Sequence, residues 1–401
     1  MKILLLAGHF PPEKSGGTGR PYSLYKYLPE NGLDVCVVTK NLYGGSIPGE
    51  RDVYRYDCFG SWRKSSWFSR KVLFKMISLV KNRIYDVNYD SWWVNEVLKN
   101  ADNYKSNIDV IYASFPGPDV LEAALKLKAN LQIPLIAEFR DGLAFETVLN
   151  KPNILQRIVI NKLEKRIVNS ADAVVTIGQN LSNYFRRTYN KQVYTVYNGY
   201  EEDDFDLLAD SNNSKNTGKK YLVHFGSLNA SRKAERNGLF KSLKLLKSRK
   251  VIDENNFCLI LIGNISSREK KEIAVYDLNE IIKFLPHMDK KEGFLFLSKQ
   301  ADCLLFYGVP NETTIVSSKL PEYIKLNKPI IGICKGNEAE LIIQKTGTGE
   351  VCDFDAISIE PLLVKMLTNE IHYQPDYLAI GKFNRKYQAK EIAGIIKDVC
   401  L

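Results

Sequence analysis

Short apolar runs that do not alternate with polar residues constrain this chain most. Residues 2–7, 35–39, 109–113, 134–139, 173–177 and 193–197 are such runs, and each ends at a glycine, a proline or a polar turn. Helical patterns lie between them, through Leu24 and Leu28 and over 119–129, 154–170 and 180–188. A strand that is apolar on both faces belongs in a parallel sheet, because the crossover helices cover both sides. After an acidic loop at 201–204 and a polar stretch at 210–220, a second series begins. Its strands read over 221–226, 257–262, 281–285, 302–307, 330–333 and 347–351, with helices over 238–248 and 292–299 and a closing helix over 387–399. A chain of 401 residues is long enough for two cores. The pattern predicts an α/β protein of two Rossmann-like domains facing a central cleft. The domains are placed at 1–207 and 221–378, with a linker at 208–220 and a helical segment at 379–401.

In parallel sheets functional groups gather beyond the carboxyl ends of the strands. The first strand runs into Gly8-His9-Phe10-Pro11-Pro12, and Gly16-Gly17-Thr18-Gly19-Arg20 then opens a helix. Glycines let backbone approach a ligand closely. The GxGxxG fingerprint is absent and the loop is long, so a nicotinamide dinucleotide is not indicated. His9 suits a site or a plain loop. Arg140 and Asp141 end another strand, as a structural ion pair or as site residues. In the second series Gly226 ends the first strand and Arg232, Lys233 and Arg236 follow it. Residues 317–333 read SSKLPEYIKLNKPIIGI, a loop, a short helix and a buried strand. Pro321 suits a first helical turn, where its missing N–H would be unpaired anyway. A helix start with free N–H groups beside Lys319 is a natural seat for a phosphate, and the same residues also suit an ordinary helix–strand unit.

The formal net charge of +10 favours an anionic partner such as a nucleotide or a phospholipid surface. The cysteines are scattered without CxxC spacing, which argues against a zinc or redox motif and for a reducing compartment. No apolar run is long enough to span a bilayer, and the opening MKILLLAG is too short for a signal peptide. Residues 58–85 mix Trp62, Trp67 and Phe68 with Arg63, Lys64, Arg70, Lys71, Lys75, Lys81 and Arg83. That composition suits peripheral membrane contact through 62–83, or a helix with one core face and one solvated basic face. No nucleic-acid recognition module accompanies it.

Both halves resemble a retaining glycosyltransferase of the GT-B fold, in the family 4 type. KILLLAGHFPPEKSGGTGRPYSL is similar to that family's opening strand and glycine loop, and IPLIAEFRD to its strand ending in Arg-Asp. ADAVVTIGQNLSNYF and VYNGYEEDDF look like its approach to the linker, and VHFGSL, ADCLLFYG and SSKLPEYIKLNKPIIGI like its donor-domain elements. The resemblance implies transfer of a sugar from a nucleotide-sugar, UDP- or GDP-linked, to a glycan or lipid-linked acceptor. It implies retention, no metal and no cofactor, a cytoplasmic place, and a closing helix that returns to the first domain, while the basic aromatic segment adds the inner face of the membrane. It makes Asp141, Lys319 and Arg232 catalytic. Gly16, Gly17, Gly226, Lys233, His287, Ser318, Leu320 and Glu322 would bind the donor, with Glu322 on the nucleotide ribose. His9, Arg20 and Arg140 would face the acceptor.

Two departures stand against the family pattern. The first of its paired glutamates falls at Thr314, with Glu312 out of register, and Ser114-Phe115-Pro116 stands where many members carry a histidine. Two other readings therefore remain open, a non-catalytic subunit that keeps the fold and a nucleotide-sugar epimerase of the same fold.

Overall fold

The computed structural model describes residues 1–42, 44–58, 90–145, 154–208, 218–226, 233–308 and 316–401. Two compact units emerge, Met1–Tyr197 with Arg385–Leu401, and Asn198–Asn384.

Among the described residues, the first unit is built on β1 (Lys2–Ala7), β2 (Asp34–Lys40), β3 (Val53–Tyr56), β4 (Val110–Phe115), β5 (Leu135–Phe139), β6 (Ala173–Thr176) and β7 (Val193–Thr195). The sheet is parallel in the order β3-β2-β1-β4-β5-β6-β7. The period of two sends Leu4 and Leu6 of β1 into one core and Ile3 and Leu5 into the other. The C-terminal helix Arg385–Cys400 does return here. Ala389, Ile392, Ala393 and Ile396 pack in the core that holds Ile3, Leu5 and Tyr112, and Lys386 pairs with Glu30 at 2.6 Å. β3 was not anticipated: it is a half-buried edge strand, and VYRY carries no apolar run.

A buried ion pair crosses this core. Arg20 is 2 % exposed and Glu138 of β5 is fully buried. The Arg20 Nε and Nη2 meet Glu138 Oε1 at 2.9 and 2.8 Å. Tyr112 Oη donates to the same oxygen at 2.8 Å, and Ser114 Oγ to Oε2 at 2.6 Å. The guanidinium also donates to the carbonyls of Tyr197 and Val196, at 2.7 and 3.2 Å. Burial alone would raise the Glu138 pKa; Arg20 and Arg140 outweigh it and hold the carboxyl below its ordinary range.

The second unit, among its described residues, is a parallel sheet of β8 (Lys220–Phe225), β9 (Phe257–Ile262), β10 (Ile282–Leu285), β11 (Cys303–Tyr307), β12 (Ile330–Ile333) and β13 (Gly349–Cys352), ordered β10-β9-β8-β11-β12-β13. Each sheet has a topological switch point, between β1 and β4 in the first and between β8 and β11 in the second. Residues 198–207, expected to close the first domain, pack in the second unit. Phe205 stacks on Phe294 at 4.7 Å and the Tyr200 N–H donates to the Phe383 carbonyl at 2.9 Å. An acidic loop looked like linker because its single aromatic anchor is invisible until the helix Lys290–Gln300 is in place. Most of the expected linker, 209–217, lies outside the described residues. The helices Ser267–Ala274 and Ala356–Thr368 also went unread. The first carries five charged residues in eight and is started by a Ser266–Glu269 capping box, and the second contains Pro361.

Replacing Arg20 by Met leaves a carboxylate buried without its cation. Urea unfolding should show a loss of about 3–5 kcal/mol, the scale for breaking one side of a buried pair. The folded pKa of Glu138 lies below its ordinary 4.5, so its contribution is present above that pH and fades as pH falls below it. Wild-type stability should therefore drop through that acid window, and the Arg20→Met variant should lack this component.

Candidate functional site

In the second unit the switch point gathers the strongest candidates. β8 ends at Gly226, whose φ of +127° favours glycine. A Cβ there would overlap the Lys319 ammonium and its Cε, so the lysine side chain lies directly on the glycine. Lys319 opens the short helix Lys319–Lys325, which is seated by Leu320, Tyr323 and Ile324, all buried. The Tyr323 hydroxyl accepts the Phe225 N–H at 2.8 Å. Burial pushes the Tyr323 pKa up, so it serves as a neutral clamp between the helix and the end of β8. Gly308 follows β11 on the other side of the switch point.

Two expectations about this helix start are corrected. The Leu320 N–H donates to the Ser317 carbonyl at 3.1 Å, the Lys319 N–H reaches Ser317 Oγ at 3.4 Å, and Pro321 has no N–H. The first turn is therefore closed on itself, and the cation offered here is the Lys319 side chain. Leu320, expected to touch the donor, has its side chain in the core and its N–H in use. Ser318 is exposed at the N-cap position and makes no side-chain cap.

Glu322 stands in the same turn, with its side chain 14 % exposed. Its Oε1 pairs with Lys290 at 2.7 Å, and Lys290 also meets Asp204 at 2.6 Å. Burial would lower the Lys290 pKa; Glu322 and then Asp204 outweigh it, and the lysine is held in its charged form. Sequence reasoning missed Lys290 and Asp204, because nothing in the spacing brings these segments together. His287 is exposed just beyond the end of β10, two strands from β8. Lys233 opens the helix Lys233–Ser248, and Arg232 lies outside the described residues, as do Glu312 and Thr314.

In the first unit, β1 ends at Gly8-His9 beside the end of β4. His9 Nδ1 lies 2.9 Å from Glu13 Oε1. An Nδ1–H there would donate to that carboxylate, and Nε2 is the ring's other hydrogen-bonding atom. A Cβ on Gly17 would come within 2.9 Å of the His9 ring, so the glycine loop lies against the imidazole. Gly16 is exposed, and a Cβ there would meet nothing within 4 Å. Arg140 Nη1 donates to the Gly17 carbonyl at 2.8 Å and Nε to the Phe115 carbonyl at 2.7 Å. Asp141 is half-buried; burial raises its pKa and Arg140 opposes the rise.

Two acceptor-facing expectations change on this geometry. Arg20 points into the core and spends its donors on Glu138 and two carbonyls, which leaves it no reach to an acceptor. Arg140 is 8 % exposed and acts as a strut that fixes the glycine loop to the end of β4. Among the described residues no group of His, Cys, Asp and Glu is arranged to hold a metal, and no helix is long and apolar enough to cross a membrane. The basic aromatic segment at 62–83 lies outside the described residues.

Residues 16–204 match the Glycosyltransferase Family 4 model. No curated protein matches the chain in sequence. Among solved structures, sucrose-phosphate synthase from Thermosynechococcus elongatus superposes over 100 % of this chain and 96 % of its own, with a TM-score of 0.64 at 13 % identity. The apo form of the lipopolysaccharide outer core galactosyltransferase WaaB matches over 99 % of this chain and 100 % of its own, with a TM-score of 0.59 at 13 % identity. A putative UDP-N-acetylglucosamine 2-epimerase from Listeria monocytogenes matches over 99 % and 96 %, with a TM-score of 0.55 at 12 % identity. The chain thus has the GT-B fold of two Rossmann-like units, and its residues 16–204 are similar to the Glycosyltransferase Family 4 model.

Proposed function

We propose that this chain is a retaining glycosyltransferase that moves a sugar from a UDP- or GDP-sugar to a glycan or lipid-linked acceptor, without a metal. The observation that carries the reading is the Lys319 ammonium lying on Gly226 at the switch point of the second sheet, one turn from the half-buried Glu322. A cation held over a glycine can approach a diphosphate with no side chain in the way. In the reaction the bond from the anomeric carbon to the diphosphate oxygen breaks and a bond to the acceptor oxygen forms on the same face. The acceptor proton passes to the departing phosphate oxygen, and a nucleoside diphosphate leaves. Lys319 stabilises the charge that develops on that group. In the second unit Glu322 receives the ribose hydroxyls, and Gly226, Ser318, Lys233 and His287 line the donor; in the first, Asp141 is catalytic and His9 serves the acceptor. The family 4-like domain supports the transferase reading. A role in surface polysaccharide or glycan synthesis, at the inner face of the membrane, draws support from the galactosyltransferase neighbour and from the basic aromatic composition of 62–83.

A thermal-shift series with UDP, GDP, ADP and CMP and their sugar conjugates, in chelator, tests the donor class. One nucleotide should raise the melting temperature, since a ligand of the native state must stabilise it. No shift with any of them overturns the reading in favour of a binding subunit, and conversion of the sugar nucleotide with no acceptor present would favour an epimerase. Lys319→Ala and Glu322→Ala should each cut donor turnover by at least about tenfold, the scale of one lost charge-assisted contact. Gly226→Ala should do the same through displacement of Lys319, with the fold retained by circular dichroism. Vesicles containing anionic lipid should retain the protein at low salt, and joint replacement of Trp67, Arg70 and Lys71 should weaken that retention.

A further inference from the structure

We infer that Lys290 is a positioning residue for Glu322, setting the carboxylate that reads the nucleotide ribose; this rests on the nucleotide-sugar reading above. Lys290 is the first residue of the helix Lys290–Gln300, whose start is capped by Asp289 accepting the Glu292 N–H at 2.9 Å. One turn on, Phe294 packs in the core against Phe205 at 4.7 Å and Phe225 at 6.1 Å. The Lys290 ammonium lies 5.7 Å from the Phe294 ring centroid. The lysine therefore starts from a rigid base, and that base also touches Phe225, the residue before Gly226.

The ammonium bridges two carboxylates from separate segments, Asp204 of the turn Glu202–Asp204 and Glu322 of the helix Lys319–Lys325. Without a cation between them these anions repel each other, and Glu322 with 14 % exposure has little water to offset the repulsion. Lys290 removes that repulsion and holds Oε1 in place. The Lys290 side chain is itself 41 % exposed, so the pair adds little stability, and its part is to hold the less exposed Glu322 carboxylate in place. Lys290 acts through Glu322 and is not itself catalytic.

The test compares calorimetric binding of UDP and GDP with that of their 2′,3′-dideoxy forms, in wild type, Lys290→Met, Lys290→Arg and Asp204→Asn. Wild type should bind one natural nucleotide about tenfold more tightly than its dideoxy form, as expected for a charge-assisted hydroxyl contact. Lys290→Met should bind both forms equally and weakly. Lys290→Arg should restore most of the preference, because it replaces the cation, and Asp204→Asn should keep it, because the Lys290–Glu322 contact survives. A Lys290→Met protein that keeps the full ribose preference overturns the inference and leaves the nucleotide reading standing. So does one that weakens both forms in parallel with the preference intact, which is a structural role only. Should Lys290→Met fail to fold, Lys290→Gln takes its place, and full ribose preference in that variant would equally overturn the inference. Wild type that binds neither UDP nor GDP overturns the nucleotide reading and Lys290's part in it together.

Discussion

The Arg20–Glu138 pair organises the first unit. Removing two opposite charges from water costs several kcal/mol per ion, and attraction alone does not always return it. Here the remaining hydrogen-bond capacity is also filled, by Tyr112 and Ser114 on the carboxylate and by the Val196 and Tyr197 carbonyls on the guanidinium. Each partner comes from a different place: the helix after the glycine loop, β4, β5, and the chain just before it leaves the unit. Gln388 of the returning C-terminal helix stands beside the same guanidinium at 3.5 Å. One buried contact therefore fixes where the chain departs and where it comes back.

The same contact governs the candidate acceptor side. Gly17 lies one turn before Arg20, and Arg140 lies two residues after Glu138. With the helix and the strand locked to each other, the Arg140 guanidinium reaches the Gly17 carbonyl, and the loop is pressed against His9. Two arginines, one in the helix after the glycine loop and one just after β5, thus hold the loop in shape from behind. Their physical signature is burial with every nearby acceptor supplied by the protein.

The second unit uses another economy of contacts at its switch point. Tyr323 holds the end of β8 by its hydroxyl while its ring sits in the core, so the short helix and the strand move as one piece. Lys319 projects from that piece over Gly226, and Glu322 is held from the far side by Lys290. A helix of seven residues whose first turn is closed by Ser317 contributes little dipole of its own. The charge at this point belongs to side chains set by packing.

Sequence alone determined the layer architecture and the two series of strands. These depend on runs of apolar residues and on local breakers, which act over a few neighbours in the chain. It also placed Gly226, Lys319 and Glu322 close together in one unit, since strand ends and helix starts in a parallel sheet must converge. Elements without an apolar signature escaped it, such as β3 and the charged helix Ser267–Ala274. Only tertiary structure decided which charges point inward. Arg20 and Arg140 became struts, Leu320 a core residue, and Lys290 with Asp204 the support of Glu322, because burial and pairing depend on segments that only the folded sheet brings within 3 Å of each other.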